Sequence, residues 1–373
     1  MFQYRIYPTK KQLHKLNKTL EECRWLYNHL LERRKLLYEQ AGTSLSLYQQ
    51  QDTFGQLKHE RPSLLSVHSQ VLQNVAVRVY LAFKAFFRRV RAHAKERGYP
   101  RFKGPDRYDS FTFPQSGFSI THDERVVISK VGAIKMVYHR PMPGKIKTLT
   151  IHRSATGKWY ACFSVECEPL RLPQRAEQVG IDVGLKTFAT LSTGEEIANP
   201  RFFRQEEKAL AKVQRKHSKL DRGTSERRKH RQVVARVHER IAWRRGNFTH
   251  QQSRQIVNRF GIIAVEDLTI NRMMHNHCLA KSIADASWSA FFSQLTSKAA
   301  EAGRQLVKVN PAYTSQTCSV CGHRHPMPLS ERIFDCPCCH AHLDRDLNAA
   351  RNILGLGLQS CVIPEASGLN RGE

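Results

Sequence analysis

Residues 2–7 (FQYRIY) alternate apolar and polar positions, and Pro8 follows, so a short strand is predicted there. Helical spacing then takes over across residues 10–40, through Leu13, Leu16, Leu20, Cys23, Leu26 and Leu30. A second helical stretch spans about 66–97, with Val71, Val75, Val79, Phe83 and Phe86 on one side. Between 110 and 168 the period becomes two. Residues 111–113, 125–128, 133–139, 147–153 and 158–167 are short runs parted by Gly, Pro or Asp. Such spacing predicts a small sheet or barrel, which the first strand can join. Residues 170–174 (LRLPQ) read as a linker.

The order changes again at Val179. VGIDVG predicts a strand, and KTFATLS and EEIAN predict two more in hairpin order. Residues 201–259 are polar and helical, and GIIAVEDL (261–268) is an apolar run typical of a buried strand. Residues 287–303 predict a helix stopped by Gly303, and 304–311 another strand. DRDLNAARNILGLG predicts a short helix ended by Gly355 or Gly357, followed by a mobile tail over 359–373.

Charge alters the picture most. Sixty Lys and Arg face 32 Asp and Glu, a net of +28 over 373 residues. The excess concentrates in two places. Arg5 to Lys103 carries 20 Lys and Arg against seven acids, and 201–259 carries 18 against five. A solvated face is the plain account of either run, yet so large a surplus suits a polyanionic partner, and nucleic acid is the usual one. No segment reaches the roughly 18 uninterrupted apolar residues of a membrane span. The N-terminus MFQYRIYPTKK has no apolar core of a secretory signal, and a cytoplasmic protein is expected.

Of ten cysteines, four form the pairs Cys318-Ser-Val-Cys321 and Cys336-Pro-Cys-Cys339. Two such turns can supply four thiolates to one tetrahedral zinc ion, leaving no open position, so a structural zinc is expected. Cys338 could replace a neighbour if the turn shifts, and His323, His325, His340 and His342 are second choices. The scattered cysteines read as buried thiols in a reducing compartment.

Three acids lie where a carboxylate needs a reason. Asp182 sits in the apolar strand VGIDVG, Glu266 at the end of IIAVE, and Asp346 at the start of the last helix. A buried carboxylate without a partner costs several kcal/mol. Any one of them could serve a salt bridge. Together they suit two Mg²⁺ ions and phosphodiester hydrolysis. Positions 346, 350 and 353 share a helix face, which sets Asp346 towards the core, whereas Asp344 suits the N-cap.

GIDVGLKTFATLS, AVEDL, SIADASW, YTSQTCSVCG and CPCCHAHLDRDLNAARNI resemble the TnpB (OrfB-type) family of insertion-sequence-encoded RNA-guided nucleases, themselves similar to type V CRISPR effectors. The resemblance runs through nearly the whole chain. It implies an α+β multidomain protein. Residues 1–8 and 102–170 would form a wedge-type β-barrel carrying a helical recognition insertion at 9–101. Residues 176–311 and 344–358 would form a RuvC/RNase H-like nuclease domain interrupted by a zinc-binding element at 312–343. It implies a guide RNA from the transposon end and a double-stranded DNA target beside a short adjacent motif. Asp182, Glu266 and Asp346 match the family's catalytic acids, and Cys318, Cys321, Cys336 and Cys339 its zinc ligands. His340 stands where the family commonly has Gly. Tyr48 and Gln73 fall in stretches resembling those that read the adjacent motif. Arg227, Arg228, Lys229 and Arg231 are further candidate nucleic-acid contacts, in a segment rich in cations and poor in aromatics, which favours phosphate tracking.

Four other readings compete. A guide-dependent DNA-binding protein that has lost cleavage would lack an acid, yet all three are present. A DDE-type transposase would order its acids Asp, Asp, Glu. A guide-independent zinc-ribbon RNA-binding protein leaves the strand acids without a role. An unguided RuvC-type nuclease would cut a defined DNA without bound RNA.

Overall fold

A computed structural model describes residues 1–328 and 330–362. The chain divides into two compact units, Met1–Glu168 and the remainder from Pro169, and both mix helices with sheet. No helix among the described residues is long and apolar enough to cross a membrane.

The first unit is built on seven strands: β1 (Phe2–Tyr7), β2 (Ser110–Phe113), β3 (Phe118–Ile120), β4 (Arg125–Ile128), β5 (Gly132–Met136), β6 (Lys145–Arg153) and β7 (Trp159–Glu166). Their order is β2-β6-β7-β1-β5-β4-β3, antiparallel throughout. The edge strands β2 and β3 are consecutive in the chain, and only four residues join them. That short tether bends the sheet into a near-closed barrel. Alternation sends Tyr4 and Ile6 of β1 and Trp159, Ala161 and Phe163 of β7 inward. The first strand therefore joins the barrel across 150 residues of intervening chain, with Tyr4 opposite Ala161.

Helices α1 (Lys10–Ala41), α2 (Leu47–Asp52), α3 (Phe54–Glu60) and α4 (Ser69–Arg91) fill most of the gap between β1 and β2. Helix α1 starts on a capping box in which Thr9 accepts from the Gln12 amide and Gln12 reciprocates. Gln12 Nε2 also donates to Ala133 O on β5, and Arg78 of α4 donates to Ser110 O and Thr112 Oγ1 on β2. Apolar faces of α1 and α4 share one core with the barrel interior. The second helical stretch expected over 66–97 is shorter, because a 3-10 turn at Pro62–Ser66 precedes α4 and Arg91 ends it. Helices α2 and α3 and strand β3 were not expected.

The second unit holds a five-stranded sheet of β8 (Gln178–Val183), β9 (Thr187–Leu191), β10 (Glu196–Ala198), β11 (Ile262–Glu266) and β12 (Gln305–Val309), in the order β10-β9-β8-β11-β12. Strands β8, β11 and β12 are parallel, and β9 and β10 return antiparallel. Between them run α5 (Phe202–Ser218), α6 (Ser225–Arg259), α7 (Ile270–Met273), α8 (Ala280–Ala286) and α9 (Trp288–Ala302). Phe188 of β9 meets Phe248 of α6 and Phe291 of α9 edge-on, at 4.8 and 5.1 Å, which locks those helices to one face. Gly303 ends α9 in the left-handed conformation, as its position predicts.

The hairpin of β13 (Ile333–Asp335) and β14 (His342–Asp344) leads directly into α10 (Arg345–Val362), which covers the other face. Here the structure corrects the expected helix end, because α10 passes through both Gly355 and Gly357. A Cβ at Gly357 would lie 2.5 Å from that of Ala264 on β11, so this glycine permits close packing and stops nothing. Gly180 on β8 does the same, since a Cβ there would lie 2.1 Å from Ala350 O. The expected mobile tail is corrected over 359–362, which belong to α10, and 363–373 lie outside the described residues.

Gly355 faces open space. Gly355→Ala is expected to stabilise the protein by about 0.5–1 kcal/mol through helix propensity. Gly357→Ala is expected to destabilise it by about 1–3 kcal/mol through overpacking. Urea unfolding midpoints check both, and equal shifts would contradict the packing described.

Candidate metal centre and acidic site

The zinc-ligand candidates come together. The sulfurs of Cys318, Cys321, Cys336 and Cys339 all lie within 4.8 Å of one another, with Cys318–Cys339 and Cys321–Cys336 each at 3.6 Å. Each pair sits in a turn of the same design. Gly322 donates its amide to Cys318 O, and His340 donates to Cys336 O, at 2.9 and 3.0 Å. Both residues are left-handed, at φ 76° and 60°. His340 therefore adopts a conformation that a Gly takes without cost, which explains why the substitution leaves the turn intact. Amides of Cys339 and Cys338 bond the Cys336 sulfur and hold its thiol down, at about 6, while Cys339, despite the Ala341 amide, is pushed up to about 12 by the sulfurs around it. Four such donors suit one tetrahedral zinc ion. Cys338 is exposed and outside the set, and the four histidines are also outside it. His323 supplies only its carbonyl to Cys318 N, and His342 pairs with Asp335. Phe334, fully buried, and Met327 fill the small core beneath the sulfurs.

The three acids also converge, by a different route. Asp182 occupies the end of β8 and Glu266 the end of the adjacent parallel β11. Asp346 lies in the first turn of α10, with Ala350 and Ile353 buried on the same face. Burial, then the charges of Glu266 and Asp346, push the Asp182 carboxyl well above the usual range. Burial and Asp344 raise Asp346 as well, and burial raises Glu266. Among the described residues the carboxylates do not close on a single point as the sulfurs do. Asp344 takes the N-cap, accepting the amides of Asp346 and Leu347 at 2.8 and 3.2 Å. That leaves Asp346, whose Oδ1 lies 3.9 Å from Arg332 Nη1, as the one of the two neighbouring acids that faces the strands.

Several residues that the sequence reading passed over hold this arrangement. Thr314 Oγ1 donates to Glu266 Oε1 at 2.7 Å. Asn348 of α10, fully buried, accepts from Ser319 N and donates to Thr317 O. Asn352 donates to Thr314 O and Thr317 O, and Arg345 to Pro328 O and Ser315 Oγ. Helix α10 thus grips the whole segment from Thr314 to Ser319. That segment carries the threonine on Glu266 at one end and Cys318 at the other. The motifs YTSQTC and DRDLNAARN contain these residues, but only their cysteines and acids have chemistry that can be read without contacts.

The candidate nucleic-acid residues are spread over both units. Tyr48 on α2 is 76% exposed, and Gln51, one turn on, donates to the carbonyl of exposed Gln73 on α4. These two candidates therefore sit on neighbouring helices. Arg228, Lys229 and Arg231 are exposed in the first turns of α6. Arg227 differs, because its guanidinium donates to Leu220 O and closes the turn between α5 and α6.

Comparison with known proteins places these features in a class. A family profile described as "Probable transposase" (OrfB_IS605) matches residues 162–277, and one described as "Cas12f1-like, TNB domain" matches 288–353. A third, described as "Helix-turn-helix domain", matches residues 1–43, which here form β1 and the single helix α1. A Streptomyces pristinaespiralis protein named "Putative RNA-guided DNA endonuclease" is 34% identical over 371 residues, covering 96% of this chain and 89% of its own. The Escherichia coli K12 protein named "Putative RNA-guided DNA endonuclease InsQ" is 28% identical, covering 95% and 92%. Among solved structures, the Cas12f1–sgRNA–target DNA complex shares the fold with a TM-score of 0.59 at 13% identity, over 91% of this chain and 81% of that one. The fold is thus that of a Cas12f-like nuclease. The chain belongs to the TnpB/OrfB family.

One zinc per chain is expected by elemental analysis. Cys318→Ser or Cys321→Ser is expected to lose it and lower solubility, because structural zinc contributes directly to local folding, whereas Cys338→Ser and Cys361→Ser keep it. Asn348→Ala is expected to keep the zinc but cost about 1–3 kcal/mol in thermal unfolding, leaving the half-buried Ser319 amide unpaired and a void at a fully buried position. A folded wild type without metal would contradict the structural role.

Proposed function

We propose that this protein is an RNA-guided DNA endonuclease whose second unit has the RuvC/RNase H fold. The observation that carries the reading is the convergence of Asp182, Glu266 and Asp346 from two parallel strands and a helix. Two further facts support it. Full-length relatives bear the name of that activity. The strand order β10-β9-β8-β11-β12, with parallel strands carrying two of the acids, suits such a nuclease.

The donor set fits Mg²⁺: three hard carboxylates in a partly buried place, where burial raises all three carboxyls and the charges of Glu266 and Asp346 raise Asp182 further. Two such ions, when bound, would supply activation of water and stabilisation of the leaving oxygen. The chain's own residues set the stage for them. Thr314 orients Glu266, the Asp344 cap directs Asp346, and Gly180 brings α10 against β8. Sequence choice would rest with a guide RNA from the transposon end, while the protein reads a short duplex motif and backbone. Tyr48 and Gln73 would contribute to motif reading, and Arg228, Lys229 and Arg231 to holding RNA or heteroduplex phosphates.

Asp182→Ala, Glu266→Ala and Asp346→Ala are each expected to cut cleavage of guide-matched DNA by at least about 100-fold while leaving guided binding largely intact. Asp344→Ala is expected to harm stability more than rate. Thr314→Val, which acts through Glu266, is expected to slow cleavage by about 10-fold or more. Cleavage at wild-type rate by Asp346→Ala would overturn the assignment.

Neutralising Arg228, Lys229 and Arg231 together is expected to weaken RNA binding alike for all guide sequences. It is also expected to flatten the dependence of log K on log salt. An unchanged salt slope would remove this face of α6 from the interface.

A further inference from the structure

The second unit forms a cavity of about 460 Å³. Its lining residue Leu185 follows Gly184, where a Cβ would lie 3.9 Å from Asp346 Oδ2. Leu185 and Lys186, then Asn199, Arg201 and Arg204, and Ser282 and Asp285 of α8 line the walls of the cavity. Its charge balance is one-sided. Asp285 is buried, and its carboxylate is already engaged. It accepts from Arg245 Nη2 at 2.8 Å and from the amides of Phe203 and Arg204, which caps α5. The α5 amides are therefore occupied, and the pull of the cavity comes from side chains. Arg204 shares its charge with Glu207 on the surface. Lys186 and Arg201 are exposed, and neither forms an ion pair among the described residues. Arg201 is held in place by an unusual backbone. It sits in the left-handed region at φ 50°, its amide bonded to Asn199 Oδ1, while Asn199 Nδ2 bonds Leu185 O. That second bond ties the two cationic walls together.

Position gives these cations a role. Lys186 follows Asp182 by four residues, so their Cα atoms are at most about 14 Å apart. Its charge acts on Asp346. A surplus of cations around a cavity of this size suits a phosphate with part of its sugar. We propose that the cavity holds a phosphate of the DNA strand being cut, within one or two nucleotides of the scissile bond, with Lys186 and Arg201 as its donors. The inference rests on the nuclease reading and adds to it a binding subsite that orients the strand. It favours DNA over guide RNA because Leu185 and Lys186 lie in the turn that follows Asp182 and adjoins Asp346, where the cut strand must lie. Lys186 and Arg201 are positioning residues here, because they act on a phosphate that does not react.

Methylphosphonate interference tests this on the full-length protein with its bound RNA. DNA targets carry one neutral methylphosphonate at each position flanking the cut in turn. The wild type is expected to slow by about tenfold at one of these positions, the cost of a charged hydrogen bond. The Lys186→Gln/Arg201→Gln variant is expected to be slowed to a similar degree on native DNA and to lose its sensitivity at that position. Zinc content and thermal midpoint equal to wild type show that this variant is folded, and single Lys186→Gln and Arg201→Gln variants are expected to lose part of the same sensitivity. Equal interference patterns in wild type and variants, or no sensitive flanking phosphate in the wild type, would overturn the cavity's role and leave the nuclease reading standing. A wild type that cleaves no guide-matched DNA would overturn the nuclease reading itself.

Discussion

Helix α10 lies on the nuclease sheet at a separation that leaves no room for a side chain at Gly180 or Gly357. That closeness places Asp346 beside Asp182 and Glu266, although the charges of Glu266 and Asp346 add to the cost of charging buried Asp182. A looser helix would relieve the repulsion by moving away. Two glycines, a buried apolar contact of Ala264, Val309 and Ile353, and a polar grip by Arg345, Asn348 and Asn352 hold it there. The acidic site is thus held together by packing and hydrogen bonds outside it.

The cysteine cluster belongs to the same device. It folds the hairpin β13–β14, whose last residue, Asp344, is the N-cap of α10. It also anchors Cys318, four residues from Thr314, which holds Glu266. Zinc at this point would therefore tie down both ends of the structure that aligns the acids, without lying among them. Sulfur and oxygen donors stay separate, as the preferences of soft and hard ions require.

How much of this could be read beforehand follows from the range of the interactions. Strand β8 with Asp182, strand β11 with Glu266 and the two cysteine pairs carry their meaning in adjacent residues, and they were legible. So was the cap at Asp344. The glycines of α10 were not, because a helical Gly near a chain end ordinarily signals a stop. Only contact with Ala264, about 90 positions away, shows otherwise. Helices α2 and α3 and strand β3 are too short for periodicity to reveal, and β13 and β14 form three pairs stabilised by the cluster beneath. Arg227 looked like its neighbours in a cationic run, yet its backbone partner Leu220 gives it a structural task. The cavity at Lys186 joins residues from 185 to 285, which no local pattern connects.

Family membership and the convergence of three acids both support the proposal that this protein cuts DNA chosen by an RNA. The most direct test keeps the protein and the DNA constant and changes only the guide. Two RNAs differing in that segment alone would be bound to the purified chain, and the cut sites mapped on one plasmid carrying both targets beside the same motif. Each RNA is predicted to direct cleavage to its own target, with no cut by protein freed of RNA. Cleavage at one unchanged site with either RNA, or by the RNA-free protein, would contradict the account.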